Sequence, residues 1–447
     1  MNKLRGLACV LVSCGVAAVA QKPAPLVLIS IDGMKPEYVT RAKEHGLKLP
    51  ELESFLAQGT YAEGVQGVLP TVTYPSHTTL VTGVSPLVHG VEDNTTFDPM
   101  NEHPGQWYWE FRYVKAQTLY QAADKAGIKT GAVSWPVTVG APIDYNIAEG
   151  AQSERTDASK IPGYNPPNIL AQLGFPTPKD AEDLTMNGDE TKTAQSIAIL
   201  KKWKPGLLLV HLVSLDHFQH GYGPFSKEAD EALLKIDAEV KRIEDAAHAA
   251  DPRTRIAIVS DHGFLPVDQH TNLNKLFVDA GLITLGAPKP GSKKPTITSW
   301  QAQAWPAGGS VAIVLRNPND KAMVEKVHAL LLKWKSDPAL GLDNLLTHDQ
   351  AVAMGGFPHA TFVVDFKDGW DMGYEFTGKS VVPAPHTGMH GYLPTRPAMR
   401  STFMVKGEGV KAGKDVGVID MRQIAPTLAE LLGVKLTDAK MEPVDVK

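Results

Sequence analysis

The chain has 447 residues, 43% of them hydrophobic and 21% charged, with 44 Lys+Arg against 49 Asp+Glu and a net charge of −5. At roughly 100–200 residues per domain, this length allows two or three domains, or one large domain with an insertion, and its core needs no disulfide or metal staple. The acidic balance excludes a protein that lives on a nucleic-acid backbone, and beyond the N-terminus no run of 18 apolar residues is present to span a membrane.

The first element is a leader. Lys3 and Arg5 precede an apolar stretch from Leu7 to Ala20, and Ala18-Val19-Ala20 offers a small-x-small cleavage site before Gln21. This predicts a signal peptide over 1–20 and an exported, periplasmic or secreted protein. Leu11-Val12-Ser13-Cys14 resembles a lipobox, but the apolar residues that follow Cys14 favour cleavage at Ala20 over a lipoprotein at Cys14. Both cysteines, Cys9 and Cys14, fall inside the leader. The mature chain would therefore have no disulfide, thiolate nucleophile or thiolate metal site.

The core elements follow. Leu26–Ile31 is a continuous apolar run ending at Asp32-Gly33, the pattern of a buried parallel strand. Gln117–Ala126, Gly127 and Lys129–Trp135 read as helix, C-terminal glycine and strand. Leu207–Leu215 and Arg255–Ser260 repeat the apolar run and end at Asp216 and at Asp261-His262-Gly263. Between them, Leu233, Ile236, Val240, Ile243 and Ala247 form the stripe of an amphipathic helix over Lys227–Ala250. Strand, helix, strand is a βαβ unit, and the class is α/β with a mainly parallel central sheet flanked by helices. From 271 to 385 the pattern changes: Ser310–Leu315 and Ala360–Phe366 read as strands around a helix over Lys321–Trp334. This predicts a smaller α+β insertion, with 21–270 and 386–447 forming the core. The sheet resumes near Ser401–Val405, and Met421–Leu432 is a terminal amphipathic helix.

Ligands of open α/β sheets collect at the carboxyl ends of strands, where three aspartates stand. Asp216 and His220 lie four residues apart, the spacing of one helical face. With Asp32, Asp261, His262 and His390, they make three carboxylates and three imidazoles. Mixed N/O donors suit Zn²⁺ better than Mg²⁺ or Ca²⁺, and six ligands exceed one open tetrahedral site. The expectation is two Zn²⁺ ions. His45, His89, His103, His211, His217 and His248 read as structural or surface residues. In Pro70-Thr71-Val72-Thr73-Tyr74-Pro75-Ser76-His77, Thr73 reads as an N-cap with Pro75 in the first turn. A hydroxyl there faces the anion-attracting end of a helix, and a bound metal would turn it from a poor into a competent nucleophile. Thr71 and Ser76 are the competing hydroxyls; Ser76 is expected to bond back to the cap.

These ordered motifs resemble the nucleotide pyrophosphatase/phosphodiesterase (type I phosphodiesterase) family of the alkaline phosphatase superfamily. The match runs through Asp32-Gly33, Pro70 to His77, His89-Gly90 to Asn94, Asp216 to Pro224, Ser260 to Gly263 and His390-Gly391, all but the 271–385 insertion. The resemblance implies an alkaline phosphatase-like fold and Thr73 as catalytic nucleophile. Asp32, Thr73, Asp261 and His262 would hold one zinc; Asp216, His220 and His390 would hold the other. Asn94 would donate to a phosphate oxygen, as a catalytic and substrate-binding group. Tyr74 matches an aromatic position that stacks on the substrate, and ordinary packing explains it equally well. Where nucleotide-favouring members often carry a second stacking aromatic, this chain has His211, which leaves lipid-like and other phosphodiesters open beside nucleotides.

The expected function is an exported two-zinc phosphodiesterase or nucleotide pyrophosphatase acting on a small-molecule phosphodiester or nucleotide through a phospho-threonine. The alternatives are an alkaline phosphatase-like phosphomonoesterase and a non-catalytic metal- or phosphate-binding protein. A sulfatase would need a mature cysteine or a Ser-x-Pro-x-Arg motif, and neither is present. The insertion is expected to pack beside the site and shape access to it.

Overall fold

The computed structural model describes residues 23–102, 106–149, 164–176, 183–289, 291 and 294–447. The leader, both cysteines and His103 lie outside the described residues.

The apolar runs form the central sheet. Its strands are β1 (Leu26–Ile31), β2 (Thr60–Tyr61), β3 (Thr130–Val133), β4 (Tyr145–Ile147), β5 (Leu207–Leu212) and β6 (Arg255–Val259). The smaller unit supplies β7 (Leu265–Thr271), β8 (Ala302–Ala307), β9 (Ser310–Leu315), β10 (Leu342–Thr347), β11 (Phe362–Phe366), β12 (Gly369–Met372) and β13 (Val381–Pro383). The chain then returns to the central sheet with β14 (Phe403–Lys406) and β15 (Lys414–Asp415). The central order is β15-β2-β14-β6-β1-β5-β3-β4. Strands β4, β3, β5, β1 and β6 run parallel, and β14 pairs antiparallel with β6.

Strand alternation sorts this sheet into two cores. Val27, Ile29 and Ile31 face one side with Leu208, Val210 and Leu212, under helices that contribute Ile199 and Leu200, and Leu233, Ile236 and Val240. Leu26 and Leu28 face the other side with Leu207 and Leu209, covered by Leu80 and Val81, Leu119, and Leu428 and Leu432. The covering helices on this second side are α1 (Thr73–Thr82), α2 (Leu119–Lys125) and, at the end of the chain, Ile424–Leu432. Ser30 shares the parity of Leu26 and Leu28, so it points toward α1. Both faces are covered, as a parallel sheet requires.

One expected strand is shorter than predicted. The apolar run over 207–215 stops as a strand at Leu212, and Ser214–Tyr222 is helix α4, after α3 (Met186–Trp203). Asp216 therefore stands in the first turn of a helix, not at a strand end. The cause is long-range: the buried Asp189 carboxylate of α3 accepts the Val213 and Ser214 N–H groups, each at 2.9 Å. It satisfies the free donors of a helix start. Helix α5 covers Lys227–Ala250, as the stripe predicts.

The smaller unit is α+β. Strands β8-β9-β11-β10 form an antiparallel sheet packed against helix α6 (Lys321–Lys335). A second sheet has the order β12-β7-β13. The apolar core of this region also takes in residues that flank 271–385. Strand β7 begins three residues after His262, and Met389 and Tyr392 belong to the unit's apolar core. The unit thus joins the main sheet directly at the two segments that carry His262 and His390.

Candidate active site

Asp32 follows β1, and Asp261 and His262 follow β6, the neighbouring strand. All three are buried, and His262 Nε2 lies 3.3 Å from Asp32 Oδ1 and 3.2 Å from Asp261 Oδ2. Gly33 makes the turn after β1 with φ +68°, and its N–H donates to Asp261 Oδ1 at 3.0 Å. A Cβ there would meet the Phe264 ring at 2.8 Å, so the Asp-Gly pair answers to a left-handed backbone and a close approach.

Asp216 and His220 share one face of α4, with His220 Nε2 3.5 Å from Asp216 Oδ1. His390 Nε2 lies 3.9 Å from the same oxygen. The His390 ring stacks on His262 at 3.6 Å between centroids and lies 5.1 Å from His220. The six expected ligands, spread from 32 to 390 in sequence, therefore converge. His262 bridges them: it closes one compact group with Asp32 and Asp261 and another with Asp216 and His390.

The three imidazoles are oriented alike. Each turns Nδ1 to a backbone carbonyl: His220 to Gly388, His262 to Gly263 and His390 to Thr71, at 3.1–3.2 Å. That contact calls for N–H on Nδ1 and leaves the Nε2 lone pairs pointing inward, the tautomer of a metal-binding histidine. Burial pushes His262 and His390 well below the usual imidazole range and His220 down to about 4, so all three stay neutral. Burial also holds Asp32 and Asp216 well above the usual carboxylate range, with the charge of Asp261 adding to it. Asp32 Oδ1, Asp216 Oδ1 and Asp261 Oδ2 are buried and accept no hydrogen bond. Orphaned carboxylate oxygens beside inward imidazole lone pairs are costly without a cation and fit one well. These N/O donors match a Zn²⁺-type centre.

Thr73 is the first residue of α1, not its cap. Val72 holds the cap position in extended conformation, with no side-chain cap bond. The Thr73 hydroxyl is thus not spent on capping, and Oγ1 lies 3.5 Å from His262 Nε2. The competing hydroxyls are removed differently. Thr71 Oγ1 donates to the Tyr392 carbonyl at 2.7 Å. Ser76 is fully buried, and its Oγ makes no hydrogen bond, so the expected bond back to the cap is absent. Asn94 Oδ1 accepts the Tyr74 N–H at 2.9 Å, which leaves Nδ2 as the donor end of that amide.

For both aromatic positions the structure favours one of the readings left open. The Tyr74 ring is 1% exposed, packed between Trp107 and Trp109, which accounts for it as core. The cleft beside the ligands, about 500 Å³, takes its aromatic lining from Phe97, Trp107, Trp305, Tyr374 and Phe376, next to Asn94, His220 and His390. Of the two readings for His211, structural or surface, the structure favours the structural one. His211 pairs with Ser30 across β5 and β1, is 1% exposed, and sets Nε2 2.9 Å from Asp32 Oδ2. His77 of α1 sits beside it, with Nε2 on Ser30 Oγ at 2.9 Å and Nδ1 3.6 Å from Asp261 Oδ2. Sequence reasoning missed both. The available signal was parity: a polar Ser30 and His211 inside two apolar strands, level with each other and one step behind Asp32.

A parallel sheet with its carboxylate–imidazole cluster beyond the strand ends places the chain in the alkaline phosphatase-like class. Human ectonucleotide pyrophosphatase/phosphodiesterase 5 has the same fold, with a TM-score of 0.65 at 19% identity over 93% of this chain and 96% of that one. The murine protein, as an inactive threonine-to-alanine variant in complex with AMP, matches with a TM-score of 0.65 at 17% identity, over 93% and 97%. The family described as type I phosphodiesterase / nucleotide pyrophosphatase matches residues 26–393. The chain belongs to that family. Among curated relatives, ectonucleotide pyrophosphatase/phosphodiesterase family member 1 of Mus musculus is 24% identical over 83% of this chain, and family member 7 of the same species is 23% identical over 95%. The chain spans 42% of the length of the former and 87% of the latter, and 23% of human family member 1, at 26% identity over 54% of this chain.

Proposed function

We propose that this protein is an exported two-zinc phosphodiesterase or nucleotide pyrophosphatase that works through a phospho-threonine. The observation that carries the reading is the convergence of three inward Nε2 atoms and three orphaned carboxylate oxygens beside the Thr73 hydroxyl, which lies 3.5 Å from His262 Nε2. Asp32, Asp261, His262 and the Thr73 oxygen would hold one ion; Asp216, His220 and His390 would hold the other. When bound, the ions would lower the pKa of the hydroxyl and neutralise charge on the phosphoryl group.

The chain's own groups do the rest. Thr73 Oγ gives up its proton to solvent and forms a bond to phosphorus as the bond to the leaving oxygen breaks, and that oxygen takes a proton from solvent. Asn94 Nδ2 donates to a non-bridging oxygen as charge builds there. Water then attacks the phospho-threonine, the phosphorus–Oγ bond breaks, and Thr73 regains its proton. The dipole of α1 favours the anion throughout, although the Tyr74 N–H is taken by Asn94 Oδ1 and the Ser76 N–H by the Val72 carbonyl. The wide aromatic cleft admits a bulky leaving group, which favours diesters and anhydrides over simple monoesters. Export rests on the charged and apolar leader; among the described residues, no helix is long and apolar enough to cross a membrane.

The test is metal content together with a kinetic panel of nucleotide diesters, nucleoside triphosphates, glycerophosphodiesters and simple phosphomonoesters. Two zinc equivalents with a preference for diesters are expected. A preference for monoesters would favour the phosphatase alternative. Metal without turnover of any ester would favour a binding protein. N-terminal sequencing of secreted protein should find Gln21 or a close neighbour first; Met1 retained on the functional protein would contradict export.

A further inference from the structure

Outside the site, one cluster of ligand-type side chains stands out: His270 on β7, Asp371 on β12 and His386 just after β13. The register brings them together, since β7 pairs with both strands and Asp371 lies directly opposite His270. Asp371 is fully buried. Its Oδ1 takes a very short contact from His270 Nδ1, and its Oδ2 accepts from His386 Nε2 at 2.7 Å.

Two functions compete for this cluster, a further cation site and a clamp, and the distances decide. Two ligands on one tetrahedral zinc, each about 2.0–2.1 Å from the ion, stand roughly 3.3 Å apart. The inward ligands of the active site keep 3.2–3.9 Å between nitrogen and oxygen. At 2.7 Å the His386–Asp371 pair is a direct hydrogen bond. The contrast in tautomer agrees, because here the nitrogens that face the carboxylate carry the protons.

What the clamp holds is the segment that locks the cleft-side ligands. The Thr387 N–H donates to the His220 carbonyl at 2.9 Å, and the Gly388 carbonyl takes the His220 Nδ1–H at 3.1 Å. The Thr387 carbonyl accepts from Val267 of β7 at 3.0 Å, and Gly388 and Met389 pair with Pro266 and Leu265. A Cβ on Gly388 would stand 2.3 Å from the Gln219 carbonyl, so this backbone is pressed against α4. His390 stands two residues after Gly388. We infer that Asp371, through His386, is a positioning residue for the His220/His390 half of the metal centre, so that the smaller unit governs metal retention there. This rests on the two-metal reading above.

The experiment uses the full chain loaded with zinc, in wild type and in Asp371→Asn and His386→Gln. His386 is partly exposed, which keeps the second variant foldable if the first is not; melting curves check both. Zinc release to a chelator is followed with time. Wild type should hold two equivalents. Each variant should release one of them about 10–100-fold faster, the size of effect expected when a supporting partner of a ligand is lost. Excess zinc should restore kcat, which general damage to the fold would not allow. Wild-type release rates in both variants would overturn the inference. A third equivalent in wild type, absent from both variants, would overturn it in favour of a cation site. Wild type without bound zinc would refute the two-metal reading itself, and with it this inference; it differs from the other outcomes because it appears before any substitution.

Discussion

The two halves of the proposed metal centre are built from different materials. Asp32, Asp261 and His262 come from the ends of adjacent parallel strands, and their side chains are at most 5% exposed. They are backed by His211, His77 and the Gly33 N–H. Asp216 and His220 come from a helix, with side chains 19% and 29% exposed, and His390 arrives on a segment returned by the smaller unit. The first half is part of the core. The second is assembled on the cleft wall by contacts between separate units. An inner half braced by the sheet should hold its ion tightly, and an outer half open to the cleft should exchange it.

The strongest way to break this comparison is to remove one carboxylate from each half. Asp32→Ala and Asp216→Ala should each cost at least ~10³-fold in kcat, because both clamp the same phosphoryl group. Their metal content should differ: Asp216→Ala keeps one tightly held ion, whereas Asp32→Ala keeps only an exchangeable one. Equal chelator release from the two variants would erase the distinction. Thr73→Ala sharpens it from another side. Turnover should again fall at least ~10³-fold while both ions stay, since the carboxylates and imidazoles remain. Thr73→Ser should keep part of the activity, and phosphate trapped during turnover should map to Thr73; label on Ser76 would refute the assignment.

A smaller effect is expected at His211. His211→Gln keeps the size of the group but loses the imidazole behind Asp32, and should weaken inner-site zinc about 10–100-fold. A titration that finds the outer ion weakened instead would reverse the roles of the halves. Smallest of all is His89. It is fully buried, bonded to Thr79 of α1 and to the Val91 N–H, and burial pushes it down to about 3. Below its ordinary value of about 6.5, the unfolded chain takes up a proton that the native state refuses. Its contribution is therefore present above ~6.5 and is lost as pH falls toward 3. His89→Gln should flatten that part of the acid slope in urea melts at successive pH values; an unchanged slope would mean that His89 does not brace α1 as neutral core.

Local pattern carried much of this into view. The continuous apolar runs of β1 and β6 can be satisfied only by burial on both faces. The stripe over Lys227–Ala250 has one way to face a sheet. Asp32, Asp261 and His262 follow those strands in the chain, so their place was legible from strand ends alone. Asp216 with His220 was legible as a helical pair, although the helix's first two residues, Ser214 and Leu215, read as the end of a strand. The late Asp189 contact that starts α4 lies 24 residues away and leaves no trace in the local pattern.

Sequence by itself determined the parallel α/β class and pointed to the six candidate ligands and the hydroxyl that stands among them, because apolar period, glycine turns and donor chemistry are local properties. Tertiary structure alone decided the rest. It put His262 between the two groups, set His211 behind Asp32, turned Tyr74 into the core and tied the His390 segment to Asp371. Each of these depends on register between strands far apart in the chain, and a shift of one residue would send every such side chain to the opposite face.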